Sequence, residues 1–139
     1  MRAYFDSSVL IAAFVQEEKH HERAVEALAN SSGFTSTHAL AEMYGTLTSG
    51  RLPIRLTPEE AIEMIEQNVL ARMEILELSL RDYRAALAES KANGARGGAV
   101  YHLLHLQAAR RGQAKRILTL NIRHFQSFAP DLKEIITEP

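Results

Sequence analysis

The chain of 139 residues contains no cysteine. That absence excludes a disulfide scaffold, a thiolate zinc site and a cysteine nucleophile. It also accords with a cytoplasmic location, which is the expected compartment. No apolar run reaches the roughly 18 residues that a membrane-spanning helix needs, so no transmembrane segment and no membrane partner are expected. The opening stretch MRAYFDSS lacks the long apolar core and small-residue cleavage site of a signal peptide, and none is expected. Net charge is −1, which gives no global basic footprint for nucleic acid. Acidic residues, however, are missing altogether between Lys91 and Phe128. Residues 1–90 hold 8 Lys/Arg against 14 Asp/Glu, whereas residues 91–139 hold 8 against 3. A solvated basic face and a surface that meets phosphates both account for this asymmetry.

What is present suffices for one folded unit. The length is that of a single domain, 1–139, and 46% apolar residues can bury a core. No internal repeat, low-complexity stretch or long linker divides it. Arg2–Phe5 reads as a short apolar strand ending at Asp6, after which Ser7 or Ser8 can cap a helix through Val9–Phe14. Glu17–Asn30 carries Ala24, Val25, Leu28 and Ala29 on one helical face, and Ser31-Ser32-Gly33 ends it. Phe34–Ser36 is a second strand. Thr37 can cap a helix from His38 to about Thr48, stopped by Gly50 and Pro53. Thr57-Pro58-Glu59-Glu60 is a capping box with proline at the first helical position, and Ile62, Ile65, Val69 and Leu70 form the expected buried stripe. Glu74–Leu78 reads as a strand. Ser79 and Asp82 form another capping box, opening a helix to about Lys91. After Asn93-Gly94 and Gly97-Gly98, Ala99–Arg111 reads as a helix ended by Gly112. Arg116–Leu120 is a strand, Asn121–Phe128 a loop or short helix, and Glu134–Thr137 a last strand.

Strands separated by helical pairs predict an α/β fold with a mostly parallel sheet of four to five short strands. Such sheets hold ligands beyond the carboxyl ends of their strands. The positions of interest are therefore Asp6, the segment after Ser36, and Asn121. Asp6 is either a helix cap or a carboxylate of a site; with two serines behind it, capping alone does not require it. Glu42 lies among Ala39, Leu40 and Met43, and is either a surface glutamate or an acid drawn towards the interior, where it needs a partner or a metal. His38 is one turn before Glu42, so the two can face one site. His102 and His105 stand at i, i+3, a spacing that suits a transition metal only with a third ligand. His20-His21 begins a charged helix and is expected to be solvated. Asn121 either closes a turn or accepts a hydrogen bond from bound water.

YFDSSVLIAAF resembles the opening block of a PIN domain: strand, Asp, hydroxyl pair, apolar helix. STHALAEMYGTL is similar to that family's second block, with Glu42 as the helix acid. GARGGAVYHLLHLQAARR is similar to the third, and RILTLNIRHF, with its Thr-x-Asn turn, to the fourth. All four occur in order and spacing across nearly the whole chain, most like the VapC-type toxins of toxin–antitoxin pairs. The resemblance implies a three-layer α/β/α PIN-like domain and a Mg²⁺- or Mn²⁺-dependent endoribonuclease. Its implied site is Asp6, Glu42, His102 and Asn121. Asp6, Glu42 and His102 would be metal ligands, and Ser8 and Thr119 would support them. It also implies an RNA substrate whose backbone meets Lys91, Arg96, Arg110, Arg111, Lys115, Arg116 and Arg123, a small antitoxin partner and a homodimer. The chain departs from the pattern where active members carry an Asp and this one carries His102. Imidazole suits Mn²⁺ or Zn²⁺ better than Mg²⁺. Three outcomes are therefore expected to compete: lost or slowed catalysis, a changed metal, or an altered residue in a sequence whose parent had Asp. A degenerate PIN domain that binds RNA or protein without cleavage is the alternative function.

Overall fold

The computed structural model describes all residues, Met1–Pro139. Five strands form one all-parallel sheet in the order β3-β2-β1-β4-β5: β1 (Arg2–Phe5), β2 (Ser32–Ser36), β3 (Glu74–Leu76), β4 (Arg116–Leu118) and β5 (Ile136–Thr137). Successive side chains of β1 point to opposite faces, as the pleat requires. Ala3 and Phe5 join one core with Val9, Leu10, Met43, Leu47 and Val69. Tyr4 joins the other with Phe34, Leu103, Leu106, Ile117 and Phe125. The fold is thus three layers, as expected, with an apolar core on each side of the sheet. No helix is long and apolar enough to cross a membrane.

On the first face lie α1 (Ser7–Phe14), α2 (His21–Ala29), α3 (Thr37–Thr48) and α4 (Pro58–Ile65), the last running into a wide π-turn at Glu66–Leu70. On the second lie α5 (Leu80–Ala92), α6 (Val100–Arg111) and α7 (Ile122–Phe128). Both predicted capping boxes form. Thr57 Oγ1 accepts from the Glu60 N–H at 3.2 Å while Glu60 accepts from the Thr57 N–H at 2.9 Å. The Ser79–Asp82 box is built the same way.

Several boundaries differ from expectation. Asp6, not a serine, caps α1: its backbone is extended and its carboxylate accepts from the Val9 N–H. Thr37 is the first residue of α3 rather than its cap, and its hydroxyl accepts from the Leu78 N–H at 3.2 Å. Helix α2 starts at His21 because turns closed by Val15 and Glu18 occupy the preceding residues. The His21 ring, expected in solvent, bonds the Ala12 carbonyl at 2.8 Å. Strand β2 begins at Ser32, drawn in by pairing with Arg2. Val25, Ile62 and Leu70 are exposed, because Ala24, Ala61, Ile65 and Val69 already fill the inward positions. The last strand is only Ile136–Thr137; a 3₁₀ segment takes Pro130–Ile135.

Two close contacts tie the second layer to the sheet. Gly112 ends α6 beneath Phe34, where an added Cβ would stand 2.4 Å from Cε2 and 2.5 Å from Cζ of that ring. Arg2 lies over the same ring at 4.0 Å and donates to the Gly112 carbonyl at 2.6 Å. Asp82, buried at the start of α5, accepts from the Ser79 N–H at 2.8 Å, Gln107 at 3.2 Å and Arg111 Nε at 2.9 Å.

Gly112→Ala is expected to lower stability by about 1–3 kcal/mol through overpacking against Phe34, read as a lower urea midpoint with unchanged slope. For Asp82, burial raises the carboxyl pKa, but hydrogen bonds from Ser79, Gln107 and Arg111 outweigh it and hold the group below its ordinary value. A carboxyl depressed in the folded state stabilises above its unfolded value near 4, and that contribution is lost as pH falls through the folded value. Asp82→Ala is therefore expected to cost about 1–3 kcal/mol at neutral pH. In pH-dependent denaturation its deficit against the parent should shrink in acid below about pH 4. A deficit independent of pH would overturn this assignment.

Candidate active site

Because every strand is parallel, all carboxyl ends share one edge, and Asp6 stands there directly after β1. It is 2% exposed. Its N–H donates to the Leu118 carbonyl at 3.1 Å, which ties the ends of β1 and β4 together. Oδ1 accepts from Ser8 Oγ at 2.5 Å and from the Val9 N–H at 3.2 Å. Oδ2 accepts from Thr119 Oγ1 at 2.7 Å. The two hydroxyls are themselves oriented. Ser8 accepts from the Leu120 N–H at 3.1 Å, and Thr119 from the Asn121 N–H at 2.9 Å. Oδ1 thus serves the cap, while Oδ2 takes one bond and keeps a lone pair for a further donor or cation.

Glu42 projects from α3 with its side chain 26% exposed, between the two expected extremes. His38, one turn earlier, brings Nε2 to 3.1 Å from Oε1. The angle is unsuitable for a hydrogen bond, and His38 Nε2 is the one buried side-chain nitrogen or oxygen without such a partner. From α6, His105 Nε2 bonds the same Oε1, and its Nδ1 bonds the Tyr4 hydroxyl at 2.5 Å. Tyr4 also bonds Ser36 Oγ at 3.0 Å. Burial disfavours the Glu42 charge, but the hydrogen bond from His105 and the close approach of the His38 ring win and hold its carboxyl far below the usual range. Burial pushes the Tyr4 hydroxyl far above its usual value, so it stays neutral. Donor atoms of His38, Glu42 and His105 all lie within 4.8 Å of one another.

His102 lies outside that cluster. Its ring stacks on His124 at 5.2 Å and 17°, with Phe125 also at 5.2 Å. Burial, with the charges of His124 and His105, lowers its pKa, opposed by the charges of Asp6 and Glu42. His102 is therefore a neutral imidazole near neutral pH, within electrostatic reach of both carboxylates. Asn121 occupies the cap position of α7 but makes no side-chain capping bond, which leaves its amide free.

The basic residues divide. Arg110 forms a two-point pair with Asp131 at 2.7 and 2.9 Å, and Arg111 holds Asp82, both at the far end of α6 from His102. Lys115 and Arg116 lie at the start of β4, the opposite sheet edge from Asp6. Lys91, Arg96 and Arg123 are exposed, Arg123 two residues past Asn121. Sequence reasoning missed Arg51, which lines an open cleft of about 410 Å³ with His38, Glu42, Gly45 and Tyr101. It also missed the engagement of His105 with Glu42 and of Tyr4 with His105. A tyrosine in the middle of a buried strand, whose hydroxyl must find a partner, was the available signal.

Carboxylate oxygens and imidazole nitrogens are donor types that a divalent cation takes, and the acid and imidazole atoms that come together here are those of His38, Glu42 and His105, without Asp6 or His102.

The family model for the PIN domain matches residues 3–129. Ribonuclease VapC40 of Mycobacterium tuberculosis is 30% identical over 123 residues, covering 88% of this chain and 89% of that protein. Among solved structures, VapBC2 from Rickettsia felis, crystallised with a DNA fragment from its promoter, superposes with a TM-score of 0.69 at 22% identity, over 100% of this chain and 99% of that one. VapC20 of Mycobacterium tuberculosis, described as a sarcin-ricin loop cleaving toxin, gives 0.68 at 14% identity over 83% and 86%. The four sequence blocks, the parallel sheet with Asp6 at its carboxyl edge, and the match over nearly the full length agree: the chain belongs to the PIN domain family.

Proposed function

We propose that this protein is a metal-dependent endoribonuclease, the toxin of a toxin–antitoxin pair, which hydrolyses RNA phosphodiesters. The observation that carries this is Asp6, fixed by three donors at the sheet's carboxyl edge with Oδ2 still able to accept, in a chain 30% identical to a ribonuclease. When bound, Mg²⁺ or Mn²⁺ lowers the pKa of water and offsets the charge that builds on the phosphate. Asp6, Glu42 and His102 are the proposed ligands. Asn121, whose N–H donates to Thr119 Oγ1, would offer its side-chain amide to a metal-bound water. Ser8 and Thr119 hold the Asp6 carboxylate in one orientation, which is how supporting groups tune a metal ligand.

The RNA backbone is assigned to Arg51, Lys91, Arg96 and Arg123. Arg110 and Arg111 are spent on Asp131 and Asp82, and Lys115 and Arg116 face the other sheet edge. A small antitoxin partner and a homodimer follow from the family likeness. Leu80, Tyr83 and Leu87, exposed on one face of α5, supply an apolar surface for a second copy. The binding-only alternative is not favoured, because Asp6 and Glu42 are both kept and the relative over most of the chain is a ribonuclease.

Asp6→Asn keeps a good cap but removes the charge. It is expected to lower RNA cleavage by about 100-fold or more with thermal stability near the parent's. His102→Asp is expected to raise cleavage in Mg²⁺ relative to Mn²⁺, measured on single-stranded RNA. If it is inert with both ions, like an equally inert parent, the nuclease proposal fails. RNA affinity is expected to fall steeply with added salt as phosphate counterions are released; affinity that is flat from low to moderate salt would remove the basic residues from the substrate path.

A further inference from the structure

We propose that His38, Glu42 and His105 form a second cation site, which takes one first-row transition ion of the Zn²⁺ class. The site goes beyond the hydrolytic one: it shares Glu42 and uses neither Asp6 nor His102. Two imidazoles and one carboxylate are a recurrent three-ligand set for Zn²⁺, with the fourth position left to water or an anion. Imidazole nitrogens select such ions over Mg²⁺.

Four features of the structure carry it. The donor atoms converge within 4.8 Å from two helices, with no rearrangement of backbone needed. His38 and Glu42 stand at i, i+4 on α3, which puts both on one face of the helix. His105 is backed from behind: Nδ1 bonds the Tyr4 hydroxyl, which bonds Ser36 Oγ, and a metal on Nε2 would replace the proton that now bonds Glu42, with Nδ1 then donating to Tyr4. That backing by a hydrogen-bonded neighbour is typical of metal-bound histidine. Finally, His38 Nε2 is buried without a hydrogen-bond partner, and an unsatisfied buried nitrogen calls for a physical reason. A cation between the rings supplies one.

The spacing accommodates the ion. Tetrahedral ligands on Zn²⁺ stand roughly 3.3 Å apart, and His38 Nε2 is already 3.1 Å from Glu42 Oε1. Glu42 has only to draw back slightly from His105, a small side-chain rotation at a partly exposed position. The fourth coordination position then opens into the cleft lined by Gly45, Arg51 and Tyr101. An ion held here withdraws the Glu42 carboxylate from the hydrolytic site, so Zn²⁺ is expected to inhibit cleavage. That consequence alone rests on the ribonuclease proposal; the site itself does not.

The test is titration of the metal-stripped protein with ZnCl₂ by calorimetry and with CoCl₂ by visible absorption, neither of which needs RNA. One equivalent of Zn²⁺ is expected to bind, and Co²⁺ to show the d–d bands of a four- or five-coordinate ion. His38→Gln is expected to weaken Zn²⁺ tenfold or more and abolish the Co²⁺ bands. His124→Gln, which removes half of the stacked His102–His124 pair, should leave both unchanged. Absence of stoichiometric Zn²⁺ binding, or loss with His124→Gln instead of His38→Gln, would overturn the site. If His38→Gln does not fold, histidine ring resonances of the parent during Zn²⁺ addition decide the matter. Changes at His38 and His105 support the site; changes confined to His102 and His124 refute it.

Discussion

The carboxylate of Asp6 is where the sheet, the first helix and the site meet. Its N–H closes β1 onto β4, Oδ1 starts α1, and Oδ2 reaches across to Thr119 beyond β4. A buried charge survives only when several donors replace the water it has lost. Here Ser8, Val9 and Thr119 do so, and each of those hydroxyls is fixed in turn by a backbone N–H. The two strand ends therefore cannot shift independently of the acid. The same network that makes Asp6 tolerable inside the protein also gives it one orientation.

Glu42 obeys the opposite logic. It has no backbone donors and depends on imidazoles. His105 comes from the far layer and is itself held by Tyr4 from the central strand, so a chain of hydrogen bonds links Ser36 at the end of β2, through Tyr4 and His105, to Glu42 on α3. Alternation along β1 makes this geometry available: Phe5 and Ala3 feed one core, and Tyr4, between them, faces the other. The two acids therefore differ in kind. One is rigid and backed by hydroxyls and backbone; the other is half-open and tuned by imidazole rings.

Much of this was legible in advance. The strand–Asp–hydroxyl opening, the Thr57 and Ser79 capping boxes, and the Gly112 stop are local signals, set by hydrogen bonding within a few residues, and each appears in place. The pairing of His38 with Glu42 followed from helical spacing. Less visible was anything that depends on what packs from another element. Ile62 and Leu70 fit a helical stripe but lie on its outer flank, because Ala61, Ile65 and Val69 take the positions that face the core. Strand β2 gained Ser32 and Gly33 from its neighbour, not from their own propensity. Arg110 and Arg111 looked like part of a phosphate-binding stretch until Asp131 and Asp82, 21 and 29 residues away in sequence, claimed them.

The sequence by itself determined the α/β class, the order of elements, the family, and the placement of Asp6 and Asn121 beyond their strands, since these depend on periodicity, caps and motif order. Only the tertiary structure decided which histidine serves Glu42. His102 and His105 are nearly equivalent in sequence, one turn apart on α6. The twist of that helix against β1 turns His105 towards Tyr4 and Glu42 and leaves His102 against His124 and Phe125. That choice is made by packing between layers. Asp6 was named from its strand end, but the hold that Ser8 and Thr119 have on it exists only once β1 and β4 lie side by side.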